Sequence, residues 1–452
     1  MSVRNSHVQM EIMQRMSKRF AWLLGAGILV SIGWLVACGS SFNSSSDGLV
    51  VVGSQGSGLL ETFSFSLSSG HNSAISNSPN DTSAEVCVLK GLPSSIIMDP
   101  AGAHAFAIIN QNSSCTGSVT GIQVFAVNSD GTITTSGAPL TLNQANGCGV
   151  IPVALAFDSS AKYLFIADTT TTCNGQLIPG TISVLAVGSG GTLTEVAGSP
   201  FAVPNVLNVQ SPAQLVALAV TPTVFPAIGV NGVQNAVCST PGLAPPTSEF
   251  LYVADKVNNV LWEYMVNQST GALVSPPNQS NAASFPTGAT PSGVAVDPCD
   301  RFVYVADLTV NQVSAYSICN GLPTQSSSIC PSTPDDSLVA VTGSPFSITS
   351  GNGPGPIVVD PFGNFVYALD TLSSQISILK ISPVSGSLTA TGVTATGQGP
   401  TSMAIRGDDN WLFVTNNVSA TLSQYSITPA SGALTPQPAI GTDNLPWGVA
   451  VK

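Results

Sequence analysis

Six residues of this chain have side chains able to hold a cation or a sugar, and they recur at one place in a repeat. Asn110, Asp168, Asp255, Asp307, Asp370 and Asn416 each end a short apolar run that reads as a strand. If the repeats align around an axis, these carboxylates and amides form a ring at a channel mouth, a donor set suited to calcium or to sugar hydroxyls. The competing reading is local: Asx side chains accept hydrogen bonds from the loop that follows them.

Acid–base chemistry has few other candidates. Beyond residue 38 the chain holds two histidines, His71 and His104, and two arginines, Arg301 and Arg406. His104, Arg301 and Arg406 fall in or beside turns at the opposite end of the repeat from the six-residue ring, and His71 sits in a Ser/Asn-rich loop. General acid–base catalysis needs a titrating group within hydrogen-bond reach of substrate. No such constellation is visible, so no catalytic residue is assigned, and His104 is expected to be a solvated turn residue. A phosphosugar would also need Arg or Lys forks that are not evident. No residues for a quinone or other cofactor are found, and none is expected.

The elements that must position these side chains come from one repeated unit. Residues 291–307 read PSGVAVDPCDRFVYVAD: a first strand, an Asp-Pro turn and a second strand. Copies start at Pro93, Pro152, Pro212, Pro291, Pro354, Pro400 and Pro446, spaced by 59, 60, 79, 63, 46 and 46 residues. The shortest spacing approaches one four-stranded propeller blade. A third strand follows each pair, as at 260–264, 375–379 and 422–427, and then a Gly turn and a fourth strand. The last copy, Pro446 to Lys452, is a first strand alone, while residues 48–52 and 60–66 supply a second and third strand. The expected fold is all-β: a seven-bladed β-propeller closed by pairing of the C-terminal strand with the N-terminal strands. Closure removes exposed sheet edges.

Residues 250–255 (FLYVAD), followed by Asn258-Asn259-Val260 and Thr270-Gly271-Ala272-Leu273, resemble the seven-bladed propeller lactonase family. That family includes propeller-type 6-phosphogluconolactonases and YVTN-type surface repeats. The resemblance covers nearly all of residues 48–452 and implies a site at the mouth built from His, Arg and carboxylates. The chain departs from that pattern, and none of the family's catalytic residues is carried over. The tryptophans Trp262, Trp411 and Trp447 lie in strand patterns and are expected to pack between blades.

The N-terminus reads as an export signal. Residues 21–36 are uncharged and apolar, and Leu35-Val36-Ala37-Cys38 follows. The pattern is similar to a bacterial lipoprotein signal with its lipobox, which implies acylation of Cys38. The expected divisions are 1–37 signal peptide, 38–47 flexible tether and 48–452 propeller, with Met16 an alternative start. Gly39 after the cysteine lacks the aspartate that retains lipoproteins in the inner membrane, so the expected location is the outer membrane, reached through a lipid anchor.

Eight cysteines remain after Cys38, an even number in an exported chain. The repeat places Cys87 with Cys148, Cys115 with Cys173, Cys238 with Cys299, and Cys319 with Cys330 as expected disulfides. Free thiols remain an alternative. No CxxC spacing or neighbouring histidine favours a metal site.

The net charge is −12, and removing residues 1–37 takes away four basic residues and Glu11, giving −15. A nucleic-acid partner is excluded by the missing basic footprint. Long Pro/Ser/Thr-rich insertions at 222–247 and 320–337 join strands on the face opposite the mouth and favour partner recognition there over catalysis. The expected function is binding or scaffolding of an envelope protein or glycan outside the cytoplasm; the alternative is a diverged lactonase hydrolysing a sugar lactone.

Overall fold

A computed structural model describes residues 47–69, 72–75, 92–110, 120–142, 149–204, 211–222, 248–276, 283–321, 330, 336–348 and 350–452. Its regular structure is strand, apart from one 3-10 turn at Ser189–Gly191. Residues 1–46, with the expected signal and Cys38, lie outside the described residues, as do His71, Cys87, Cys115, Cys148, Cys238 and nearly all of the 222–247 insertion.

Seven antiparallel sheets form the ring. Blades 1 to 6 begin with the first strands Leu92–Met98, Ile151–Phe157, Leu215–Val220, Pro291–Val296, Pro354–Val359 and Pro400–Ile405. The seventh is composite: Pro446–Val451 pairs with Asp47–Ser54, which pairs with Leu59–Ser66 and then Asn72–Ala74. Val50 lies opposite Val451, and Val52 opposite Val449. The expected closure is therefore present. Each first strand also contacts the first strands of the blades on either side, around the whole circle. The first-to-second turns lie on one face, here the turn face. The second-to-third loops lie on the other, the mouth face.

The second strands explain the apolar runs seen in the sequence. Glu249–Asp255, Phe302–Asp307, Phe365–Asp370 and Trp411–Asn416 are buried at every position. Both faces of each strand pack against neighbouring blades, so the usual in–out alternation is lost. The described core falls into seven clusters, one per blade interface; one joins Leu49, Val51 and Ala450 to Ile96, Ala105 and Phe125. One recurring device locks blades together. An aromatic ring at the start of a second strand lies under a positive-φ glycine in a turn of the next blade. A Cβ on Gly386 would come within 2.4 Å of Phe302, and one on Gly432 within 2.5 Å of Phe365. Tyr304 and Tyr367 then donate their hydroxyls to the carbonyls of Gly386 and Gly432.

Two details differ from the expected layout. In blade 3, Asp255 lies opposite Leu215 and not the anchor Pro212, and Gln214 donates its backbone N–H to Asp255 Oδ1. Trp262 and Trp411 are buried between blades, but Trp447, second in its first strand, is 40% exposed.

Candidate functional site

The six ring candidates all sit at the mouth end of their second strands, and each is held within its own blade. Asp168, Asp255, Asp307, Asp370 and Asn416 are fully buried. Asp307 Oδ2 accepts from Ser314 at 2.7 Å, and Asp370 Oδ2 from Ser377 at 2.7 Å. Asp168 Oδ2 accepts from Ser183 at 2.6 Å, and Asn416 donates to Ser423 at 2.9 Å. Asp255 accepts from Trp262 Nε1 at 3.3 Å and from Asn258, while Asn110 donates to Ser94 at 3.1 Å. The composite blade reverses the pair: Ser54 ends its second strand and donates to Glu61 at 3.0 Å.

Two of these carboxylates are roofed as well as bonded. In blades 4 and 5 the entering loop lays a glycine on the acid, so a Cβ on Gly288 would meet Asp307 at 2.6 Å and one on Gly351 would meet Asp370 at 2.1 Å. Burial pushes Asp168 up to about 7 despite its two hydroxyl donors, and Asp307 and Asp370 up to about 6. Their Oδ1 atoms are buried without a partner and offer a place for that proton. No three His, Cys, Asp or Glu side chains converge to hold a metal ion among the described residues. The structure thus distributes the six among six blades as strand-to-strand ties.

The first strands that wall the channel contain no Asp, Glu, Lys, Arg or His. At the turn face, by contrast, ionisable groups stand beside the channel. There a recess of about 690 Å³ opens between blades 6, 1 and the composite blade, touching Val358 of blade 5. Its apolar wall includes Ile97, Met98, Met403, Ile405 and Val451, and Asp99, Arg406, Asp408 and Lys452 stand at its rim. Arg406 pairs with Asp408 and donates Nε–H to the Lys452 carbonyl at 3.1 Å. Lys452 Nζ donates to the Gly102 carbonyl at 3.2 Å.

Sequence reasoning located Arg406 on this face, but it gave no sign of a cavity there. The cavity depends on three blades meeting, and no local pattern reports that. The other two cationic candidates are structural. Arg301 is 1% exposed, bonds Asp297 through Nε and Nη2 at 2.7 Å each, and reaches the Gly363 carbonyl of the next blade at 2.9 Å. His104 is partly buried, which differs from the solvated turn residue expected. Its Nδ1 lies 2.9 Å from Asp99 Oδ2, and its ring fills the inter-blade ledge that Phe302 occupies elsewhere, against Gly191.

The mouth face is a contrast. Of the exposed large apolar side chains, Leu177, Val257, Val310, Leu372 and Val418 tip five successive loops there, and Ile151, Leu445 and Trp447 stand nearer the axis. Lys256 and the half-buried Asp443 are the ionisable side chains that reach solvent on this face among the described residues. Cys319 and Cys330 are disulfide-bonded to each other. Cys173 and Cys299 are also disulfide-bonded.

Comparison with known proteins places the architecture. The family model described as lactonase, seven-bladed β-propeller, matches residues 336–445. A putative 6-phosphogluconolactonase from Bacteroides uniformis superposes with a TM-score of 0.62 at 16% identity, covering 90% of this chain and 100% of that one. The periplasmic gluconolactonase PpgL of Pseudomonas aeruginosa gives 0.63 at 16% identity, covering 90% and 99%. A Lactobacillus plantarum protein gives 0.64 at 12% identity, covering 90% and 99%. No curated protein sequence matches. The chain has a lactonase-like seven-bladed propeller fold; at these identities the likeness extends to fold alone.

Proposed function

We propose that this protein is a lipid-anchored scaffold of the bacterial envelope, held in the outer membrane through Cys38, that docks a protein partner on its mouth face. The observation that carries this reading is the segregation of the surface. Aliphatic loop tips collect on one face whose described residues bring only Lys256 and Asp443 to solvent, and exposed apolar surface of this kind marks interaction sites. The propeller begins at Asp47, on the turn face. A tether of residues 39–47 spans at most roughly 30 Å, so an anchored disc turns its turn face to the membrane and its mouth face outward.

Photo-reactive side chains placed at Leu372 and Val418, with Val384 on the turn face as control, test the docking face in intact cells. A discrete adduct from 372 and 418 and none from 384 is expected. Adducts from 384 alone, or none at all, overturn it. Loss of lipid labelling in Cys38→Ser checks the anchor separately.

A second reading, lactone hydrolysis, is favoured by the family match over 336–445 and by the names of the structural neighbours. Arg406, at the rim of the turn-face recess, is the group able to polarise a lactone carbonyl there. A lactone panel assayed with residues 39–452 decides: turnover abolished in Arg406→Gln would install this reading in place of the first.

A further inference from the structure

The first-to-second turns repeat one geometry. Three residues after the strand end the chain passes through positive φ, at Gly102, Ala161, Asp300, Gly363 and Asp409, and the N–H there returns to the strand-end carbonyl. Where this residue is glycine, a Cβ would point into the preceding blade. From Gly102 it would meet the Lys452 side chain, and from Gly363 it would meet Asp297 Oδ1 and Arg301 Nη2 at 2.5 and 2.6 Å. Asp409 holds this position in blade 6, so its carboxylate is aimed at blade 5. The strand-end residue it faces there is Asp360.

Blades 4 and 5 show what ordinarily fills that seat. The Arg301 guanidinium bonds the Asp297 carboxylate, the Gly363 carbonyl and, at 3.4 Å, the Pro383 carbonyl. Between blades 5 and 6 the uncharged Asn364 stands in the place of Arg301, and Asp409 in the place of Gly363. Acid therefore faces acid, and both are fully buried. Asp360 Oδ1 accepts the Asn364 and Phe365 N–H groups, but Asp360 Oδ2 and both carboxylate oxygens of Asp409 have no hydrogen-bond partner. Tyr367, beside both acids, gives its hydroxyl to the Gly432 carbonyl. The neighbouring charges close on themselves, Arg301 on Asp297 and Arg406 on Asp408. What is left over is the Asp360–Asp409 pair, and buried charge without a partner is costly.

We propose that a calcium ion bridges Asp360 and Asp409 between blades 5 and 6, in the seat that the Arg301 guanidinium fills between blades 4 and 5. Two carboxylates match its charge. The repeat brings the Asp409 and Pro429 carbonyls to the positions of the Gly363 and Pro383 carbonyls that serve Arg301. A buried set of carboxylate and carbonyl oxygens suits calcium better than magnesium, which keeps several waters. The site lies on the turn face and stands or falls independently of the docking surface.

Titration of the chelator-stripped full-length protein in detergent tests the assignment, with calcium chloride and magnesium chloride as probes and potassium chloride in excess. One calcium is expected to bind saturably, to raise the melting temperature, and to be held about tenfold or more tighter than magnesium. Asp409→Asn and Asp360→Asn are each expected to weaken calcium by about tenfold or more. The second variant keeps the Oδ1 that closes its own turn. Asp130→Asn, at an exposed position, should leave the affinity unchanged and so separates a built site from diffuse binding by an acidic chain. Absence of saturable calcium binding, the result if the two acids simply share a proton, overturns the proposal even if neither variant folds. Equal affinity for magnesium overturns it too, as does unchanged calcium affinity in Asp409→Asn.

Discussion

Ser54 and Glu61 hold the same two positions as Asp307 and Ser314, with donor and acceptor exchanged between strands. Ser54 Oγ donates to Glu61 Oε2, whereas Ser314 Oγ donates to Asp307 Oδ2. The backbone N–H of Asp443 completes the first pair. Blades 2, 4 and 5 and the composite blade carry a buried hydroxyl–carboxylate tie at this point, and either strand can supply the acid. Replacing Glu61 with Ser leaves the Ser54 hydroxyl and the Asp443 N–H without their acceptor. It should cost about 1–3 kcal/mol in denaturant unfolding. The double variant Ser54→Asp/Glu61→Ser should recover most of that loss, and a cycle showing no coupling would contradict the tie.

Arg301 should act as an inter-blade staple. Arg301→Met removes a buried bidentate pair and strands Asp297, at an expected cost of about 3–5 kcal/mol. Adding Asp297→Asn should return part of it. Thermal unfolding of the two variants checks the order, and a loss under 1 kcal/mol for the single variant would mean the pair is screened.

Stability should fall as pH rises. Burial lifts Asp168 to about 7, Asp307, Asp360 and Asp370 to about 6, and Asp409, which also faces Asp360 and Asp408, to about 8. In the unfolded chain these acids titrate near 4. Between those values the folded protein binds more protons than the unfolded one, so unfolding becomes easier with each step up in pH. Their contribution is fully present below about pH 4 and is lost progressively as pH passes through 6 to 8. The melting temperature should therefore decline from pH 5 to pH 9, and Asp409→Asn should flatten the upper part of that decline. A melting temperature that rises over this range would refute the burial of these acids.

The glycine roof can be probed directly. Gly351→Ala drives a methyl to 2.1 Å from Asp370 Oδ2 and should destabilise by about 1–3 kcal/mol. Gly392→Ala, in the outer strand Leu388–Ala395 with nothing within 4 Å, should be neutral or slightly stabilising. Equal effects at both sites would remove the case for a close roof over the acid.

Much of the architecture was legible because it is periodic. A second strand such as residues 302–307 runs apolar up to its closing Asp, since both its faces are covered, and the copies at 250–255, 365–370 and 411–416 repeat the pattern. The composite blade was legible from the incomplete last copy. Side-chain partnerships across strands were not. Asp307 and Ser314 are seven residues apart, and only the hairpin between them turns that distance into a 2.7 Å hydrogen bond. His104 looked like a turn residue until the neighbouring blade placed Gly191 against its ring.

By itself the sequence determined a ring of seven sheets joined at its ends, because strand periodicity and turn chemistry act over a few residues. It also determined which face each turn occupies, since strand direction alternates. The tertiary structure alone decided where polar groups become sites. Packing buried the mouth carboxylates under neighbouring loops, and the meeting of blades 6, 1 and the composite blade opened a recess at Arg406 and Lys452. Those outcomes depend on the distances between blades, which no stretch of a single repeat contains.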